Sequence, residues 1–416
     1  MLKIIRKIYY SKYINFFVWL LAAAFYSLQM ALRILPAMMI DYLTDTIGMD
    51  AEEFGLLAGF YYLGYAGMQI PIGVLLDKFH PRFVIAACIF ICISGILMTI
   101  YSIDKTYLYI SRVLIGVGSL AGILGSVKVI DDFFPKKYSL CLGLTVLCGV
   151  FGSYYGGVPI TISFSKYGIE KTMLFFAYIA LGISVAILIF YRKSHTEDKV
   201  IQKLSIIQIV NSSLSNKKLW IIGLLGGLMV GPMGGFADTW ANKYLVQVKG
   251  LEQESAGFAV SLIFLGIGIG SSITGYIAQF FTSFSKLIVY MGTMQIVVML
   301  SLFNYDSGSV GVVYVLTFLV GVLSSYQVAA FSLGNKLSKN HMIGVVTSLI
   351  NSLVMSFCFI FNYCIGFILR FFFESKSQSK LVYDAFAYNT SFSLIIVCVI
   401  LGSIGFAIIS KKEQRF

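Results

Sequence analysis

Apolar runs of about 20 residues, broken by short polar clusters, recur along almost the whole chain. A helix needs that length to cross a bilayer, and the template fits repeatedly. The runs are Phe16–Ile40, Phe54–Leu76, Phe83–Tyr101, Tyr107–Ile130, Tyr138–Ser163, Thr172–Tyr191, Leu219–Val246, Ala256–Phe281, Leu287–Phe303, Val310–Leu333, Met342–Leu369 and Phe386–Ile409. They predict an all-α membrane protein of twelve transmembrane helices in two pseudo-symmetric six-helix bundles. The expected divisions are residues 1–191, a polar, basic linker over 192–218, and residues 219–416. Within the linker, Val200, Leu204, Ile207 and Leu214 recur at helical spacing. That fits a short amphipathic helix on the membrane surface or a simple tether.

Composition supports the bilayer as solvent. The chain is 58% hydrophobic and 12% charged, against about 45–50% and about 25% in soluble domains. The net charge of +12 changes the picture less than it first suggests. Its bases lie scattered in short loops rather than on one face or tail, so no nucleic-acid surface is expected. With the N-terminus in the cytoplasm, the inner segments hold 20 of the 31 Lys and Arg residues and the outer loops eight. The excess predicts both termini inside; the acids that crowd the first outer loop, Asp41, Asp45, Asp50, Glu52 and Glu53, carry no weight for orientation. Phe16–Ile40 is about twice the length of a signal-peptide core, so it reads as an uncleaved first span.

The seven cysteines all lie in apolar runs without CxxC spacing, and read as small core residues. His80, His195 and His341 fall in separate loops. Neither a metal nor a cofactor is expected, and no acid or histidine cluster suggests an intramembrane enzyme.

Three bases lie inside spans. Arg33 sits about 25 Å along a helix of about 37 Å, where a charge costs about 2.5–3.5 kcal/mol on insertion scales. It needs an acid, with Asp41 and Asp238 as candidates, or an anionic ligand. Arg112 lies about 8 Å from the outer end of its helix, where snorkelling competes with a cavity role. Lys128 is three residues from Asp131, so a local ion pair competes with a cavity role. Among embedded polar groups, Asp238 is the best proton or ammonium partner, with Lys243 as its alternative mate. Trp240 can stack on a ligand or sit in an interfacial belt. Tyr26, Gln29, Tyr62, Tyr65, Gln69, Tyr326, Gln327, Asn351 and Asn362 can line a site or join helices to each other.

The most specific motif is Gly73-Val74-Leu75-Leu76-Asp77-Lys78 followed by Arg82. It resembles the G-x-L-x-D-R-x-G-x-R loop of the major facilitator superfamily. Lys78 stands where arginine is usual, and His80-Pro81 where glycine is expected. Gly275-Tyr276-Ile277-Ala278-Gln279 echoes the spacing in the second half without the acid. Arg112-Val113-Leu114-Ile115-Gly116-Val117-Gly118 is similar to the family's R-x-x-x-G-x-G pattern. Shorter strings resemble a bacterial branch of transporters that includes intraphagocyte-growth amino-acid carriers, and more loosely lysosomal dipeptide carriers. They are Leu32-Arg33-Ile34-Leu35-Pro36-Ala37-Met38-Met39, Phe60-Tyr61-Tyr62, Met68-Gln69-Ile70-Pro71-Ile72-Gly73 and Val127-Lys128-Val129 before Phe133-Phe134-Pro135.

The resemblance implies a monomeric secondary carrier in a bacterial inner membrane, working by alternating access on a small-molecule substrate. Amino acids or short peptides come first, with proton-coupled import and facilitated exchange as the two modes. Spans 1, 4, 7 and 10 line the central cavity in this superfamily. That makes Arg33 the carboxylate site and Asp238 the partner of an amine or proton. Gly73, Asp77, Lys78 and Arg82 would latch the inner side. The alternatives are an organic-anion or sugar-phosphate carrier using Arg33, Arg112 and Lys128 together, a drug exporter, and a scaffold with a closed centre.

Overall fold

The computed structural model describes residues 12–101, 104–192, 214–281, 283–305, 309–337, 343–373 and 382–413. The first set of helices is α1 (Lys12–Ile47), α2 (Ala51–Lys78), α3 (Pro81–Tyr101), α4 (Lys105–Phe133), α5 (Tyr138–Tyr155), α6 (Val158–Tyr167) and α7 (Ile169–Phe190). The second is α8 (Lys217–Gly235), a π turn (Phe236–Trp240), α9 (Ala241–Gln247), α10 (Gln253–Ile277), α11 (Phe284–Asn304), α12 (Val310–Ser324), α13 (Tyr326–Lys336), α14 (Ile343–Phe373) and α15 (Ala385–Glu413). The amphipathic segment expected near residue 204 lies outside the described residues.

The apolar runs reappear as these helices to within about a turn, except that α1 continues about two turns past Ile40. Among the described residues ten helical spans are long and apolar enough to cross a membrane, and α5 with α6, bent by 45°, makes an eleventh. The expected twelfth is α2. Its 28 residues would span about 42 Å, but it carries Tyr61, Tyr62, Tyr65 and Gln69. These are buried against other helices, so its sequence answers to protein more than to lipid.

Packing repeats with an offset of one set. In the first set α1 packs on α4, α5 and α7, α2 on α4, and α3 on α4 and α7. In the second α8 packs on α13, α14 and α15, α10 on α12, and α11 on α12 and α15. The sets meet where α2 lies against α14, where α5 lies against α10, and where α1 meets the π turn. Equivalent turns keep the same geometry. Gly48 and Gly250 both adopt φ +66°, a left-handed conformation that glycine takes without a Cβ penalty. The amides of Met49 and Leu251 then reach back to the carbonyls of Leu43 and Leu245, closing each helix in a Schellman-type cap.

Glycines set how closely the two sets approach. A Cβ on Gly55 would run into the Asn362 carbonyl, and one on Gly366 into the Ala51 carbonyl. Backbone therefore packs on backbone between α2 and α14. These contacts lie near the 48–50 loop. At the opposite end, near the 79–80 loop, Gly73 and Gly275 have nothing within 4 Å of where a Cβ would stand.

Candidate functional site

The site begins with a proline. Pro36 lies inside α1 and has no N–H, so the Leu32 carbonyl loses its helical partner. Arg112 of α4 supplies one and bonds the Arg33 carbonyl as well. Its Nη1 donates to the Leu32 carbonyl at 2.9 Å and its Nη2 to the Arg33 carbonyl at 3.1 Å. Its guanidinium also lies 5.2 Å from the centre of the Tyr61 ring. Arg112 is only 3% exposed, so it neither snorkels nor stands free for an anion. Its work is to hold the α1 backbone at residue 33.

Arg33 then points at the second set. Its Nη2 donates to Asp238 Oδ2 at 2.7 Å, and its Nε to Asp238 Oδ2 and to the Tyr62 hydroxyl, both at 3.0 Å. Of the two expected acids the partner is Asp238; Asp41 instead pairs with Lys243 at 2.6 Å. The Arg33 side chain is 19% exposed and that of Asp238 2%, so the base is partly exposed and the acid is enclosed.

A π turn carries Asp238, and such turns interrupt helices frequently at functional sites. Aromatic side chains pin it from both sides. Phe236 lies edge-on to Phe392 at 5.0 Å, and Trp240 edge-on to Phe54 at 5.5 Å. Trp240 is fully buried, which corrects the interfacial-belt reading. Thr239 donates to Asn362 Oδ1 at 2.6 Å, tying the turn to α14.

Other expected residues extend the site toward the 79–80 loop. Gln29 donates to the Tyr61 hydroxyl at 3.0 Å, and Tyr26 lies half-buried against Gly149. Gln327 donates to Asn351 at 3.1 Å, and Asn351 to Gln69 at 2.9 Å, so an amide chain links α13, α14 and α2. Tyr326 is buried and donates to the Met229 carbonyl at 2.9 Å; it braces α13 against α8.

The gating motif departs from expectation. Asp77 pairs with Lys128 of α4 at 2.9 Å, not with Arg82. Arg82 instead lies 4.5 Å from the centre of the Phe83 ring, and Lys78 is exposed. Asp77 and Lys128 belong to the same helix set, so their pair does not lock the sets together. Lys128 is thereby removed from the expected three-cation site with Arg33 and Arg112. The Gln279 side chain lies outside the described residues.

Bolts between the sets stand at the other end, where Asp41, Asp45, Asp50, Glu52 and Glu53 crowd together. Arg370 of α14 pairs with Glu52 at 2.7 Å and Asp50 at 3.2 Å, and Tyr363 donates to Glu52 at 2.9 Å. The usable signal was that Asp41, Asp50 and Glu52 share an end with Lys243 and Arg370.

Two helix sets meeting on a buried, partly accessible ion pair are the architecture of a secondary transporter in the membrane. The chain belongs to the Major Facilitator Superfamily, whose model matches residues 18–362. It is similar to the uncharacterized transporter YybO of Bacillus subtilis, at 24% identity over 56% of this chain and 58% of that protein. It is also similar to the probable L-galactonate transporter of Escherichia coli, at 23% identity over 56% and 55%. The matches thus span little more than half the length of these relatives. Among solved structures, a bacterial homolog of the human lysosomal transporter Spinster, inward-facing and unoccupied, superposes with a TM-score of 0.75 at 14% identity, covering 97% of this chain and 98% of that one. The nucleoside transporter NupG gives 0.68 at 12%, covering 95% and 98%. At these identities the likeness shows the fold. The amino-acid branch suggested by the short strings finds no support in these relatives, whose named substrates vary.

Proposed function

We propose that the protein carries a small carboxylate-bearing solute by alternating access, with amino acids and short peptides as the first candidates. The observation that carries this reading is the Arg33–Asp238 pair, which joins the two sets and has its basic member partly exposed. A buried pair resists losing one partner, because the remaining charge is left uncompensated. A substrate carboxylate replaces Asp238 on Arg33. Asp238 in turn needs an ammonium group or a proton, and a zwitterion or a proton-coupled anion supplies it. L-galactonate, the substrate for which the E. coli relative is named, is itself a carboxylate, which supports the anion side of the reading. The 48–50 end is held by ion pairs between sets, and the Spinster homolog is inward-facing. Both support an inward-facing state with the 48–50 loop outside and both termini cytoplasmic.

A sugar-acid or organic-phosphate carrier is the second reading, favoured by Arg33 as a partly exposed cation at the joint between the sets. Uptake into proteoliposomes of amino acids, dipeptides, sugar acids and phosphates, with and without a pH gradient, separates them. Uptake of an amino acid or dipeptide that Arg33→Ala abolishes is expected. Phosphate uptake alone would reject the preferred substrate class, and unchanged affinity in Arg33→Ala would reject the assigned role.

A further inference from the structure

On the 48–50 side of the ion pair lies a small space between α1, α5, the π turn, α9 and α10, with room for about one water molecule. Asp238, Ser153 and Asn242 line it, and each is at least nine-tenths buried. Asp238 Oδ1, Ser153 Oγ and Asn242 Nδ2 have no hydrogen-bond partner among the described residues. Folded proteins leave only a few buried polar atoms unpaired per hundred residues, and each calls for an explanation. Three around one space call for a shared occupant. Thr239 and Ser261 also line the space but are committed elsewhere, to Asn362 at 2.6 Å and to the Gly257 carbonyl at 2.9 Å.

The unpaired atoms describe that occupant. It must donate to a carboxylate oxygen, accept from an amide N–H and bond a hydroxyl. Water does all three. A bare cation cannot accept from Asn242 Nδ2, and the Asn242 oxygen is occupied by Gln253 Nε2 at 3.0 Å. The carboxylate also divides two spaces, with Oδ2 on Arg33 and the unpaired Oδ1 on a residue that lines this one.

We infer that this cavity is a proton port, in which a water held by Asp238 Oδ1, Ser153 Oγ and Asn242 Nδ2 passes a proton to Asp238. The inference rests on Arg33 being the carboxylate site, and it adds the coupling ion and its path. A proton reaching the water from solvent breaks one O–H bond of the protonated water and forms one at Oδ1. Asp238 becomes neutral, Arg33 keeps its charge, and the substrate carboxylate takes the place of the lost anion. Net charge at the site is unchanged, so the loaded carrier can move without a buried uncompensated charge. The groups facing Asp238 are Arg33 on α1, the Tyr62 hydroxyl behind it on α2, and Cys358 on α14. Neither α5 nor α10 adds a titratable side chain to the cavity lining.

Infrared difference spectra of the full chain in lipid, between neutral and acidic buffer, test the port without any substrate. A protonated-carboxyl band absent from Asp238→Asn is expected. In Ser153→Ala the band should shift and its hydrogen–deuterium exchange should slow by about tenfold, as befits one lost hydrogen bond. Ser153→Thr keeps the hydroxyl and should keep both properties, which controls for a folding defect. Asn242→Ser reads the same water from another side and should also shift the band. The absence of any such band in the unaltered protein overturns the inference. So does a band that Ser153→Ala leaves unmoved, or one that sodium ions remove at neutral pH only while Ser153 is present, which would mark a cation site. A normal band with no carboxylate uptake would instead reject the substrate reading alone.

Discussion

The two ends of the same helices are built differently. Near the 48–50 loop, backbone meets backbone at Gly55 and Gly366. There the pairs Lys243–Asp41 and Arg370–Glu52 join one helix set to the other. Near the 79–80 loop, Asp77 is held by Lys128 of its own set and Gly73 stands beside open space. The difference teaches that a family motif marks where a latch can form, while the geometry of one state shows where it is formed. Arg33 and Asp238 stand between the two regimes.

The largest effect should come from that pair. Arg33→Ala or Asp238→Asn leaves one buried group without its partner and should cost about 3–5 kcal/mol, read as a lower thermal midpoint in detergent. Arg33→Met with Asp238→Leu should recover much of that stability, since apolar replacement of a buried pair is often neutral, while leaving transport abolished. Stability lost equally in the single and double variants would contradict this.

Arg112 comes next. Arg112→Ala strips a donor from two carbonyls and should cost about 1–3 kcal/mol. Pro36→Ala restores the helical N–H, so the same change in that background should cost less. Strict additivity in the double-mutant cycle would separate Arg112 from the proline.

The contrast between ends is sharpened by glycine substitutions. Gly55→Leu forces α2 from α14 and should cost about 1–3 kcal/mol, whereas Gly73→Ala should stay within about 0.5 kcal/mol. Equal costs would erase the distinction. Smallest is the exposed pair at the open end. Asp77→Asn should change stability by about 0–1 kcal/mol, less at high salt.

Most of the helix path was legible because polar loops interrupt apolar runs at the right length. Arg33 was legible because a base in a membrane span demands an explanation, and Asp238 was one of two named partners. Arg112 was not, because two carbonyls on α1 cannot be matched to a donor on α4 until the helices cross. The π turn left no mark in periodicity, since one extra residue in a glycine-rich stretch alters no apolar face. Trp240 looked interfacial because its place near a helix end does not reveal that α2 covers it. The acids at 50–53 were discounted because acids say little about orientation, although they say much about a joint between helix sets. Asp77 misled because Arg82, a base in the same loop motif, is not its base in space.

We propose that the Arg33–Asp238 pair, together with the ion pairs at the 48–50 end, keeps that end shut until a carboxylate takes Arg33. Spin labels at Tyr42→Cys and Val382→Cys, both exposed, report on that end in lipid when introduced into a variant lacking the native cysteines. One short-distance population is predicted for the parent, a longer one on adding a transported carboxylate at acidic pH, and the longer one without substrate in Asp238→Asn. An identical distance distribution in all three would contradict the account.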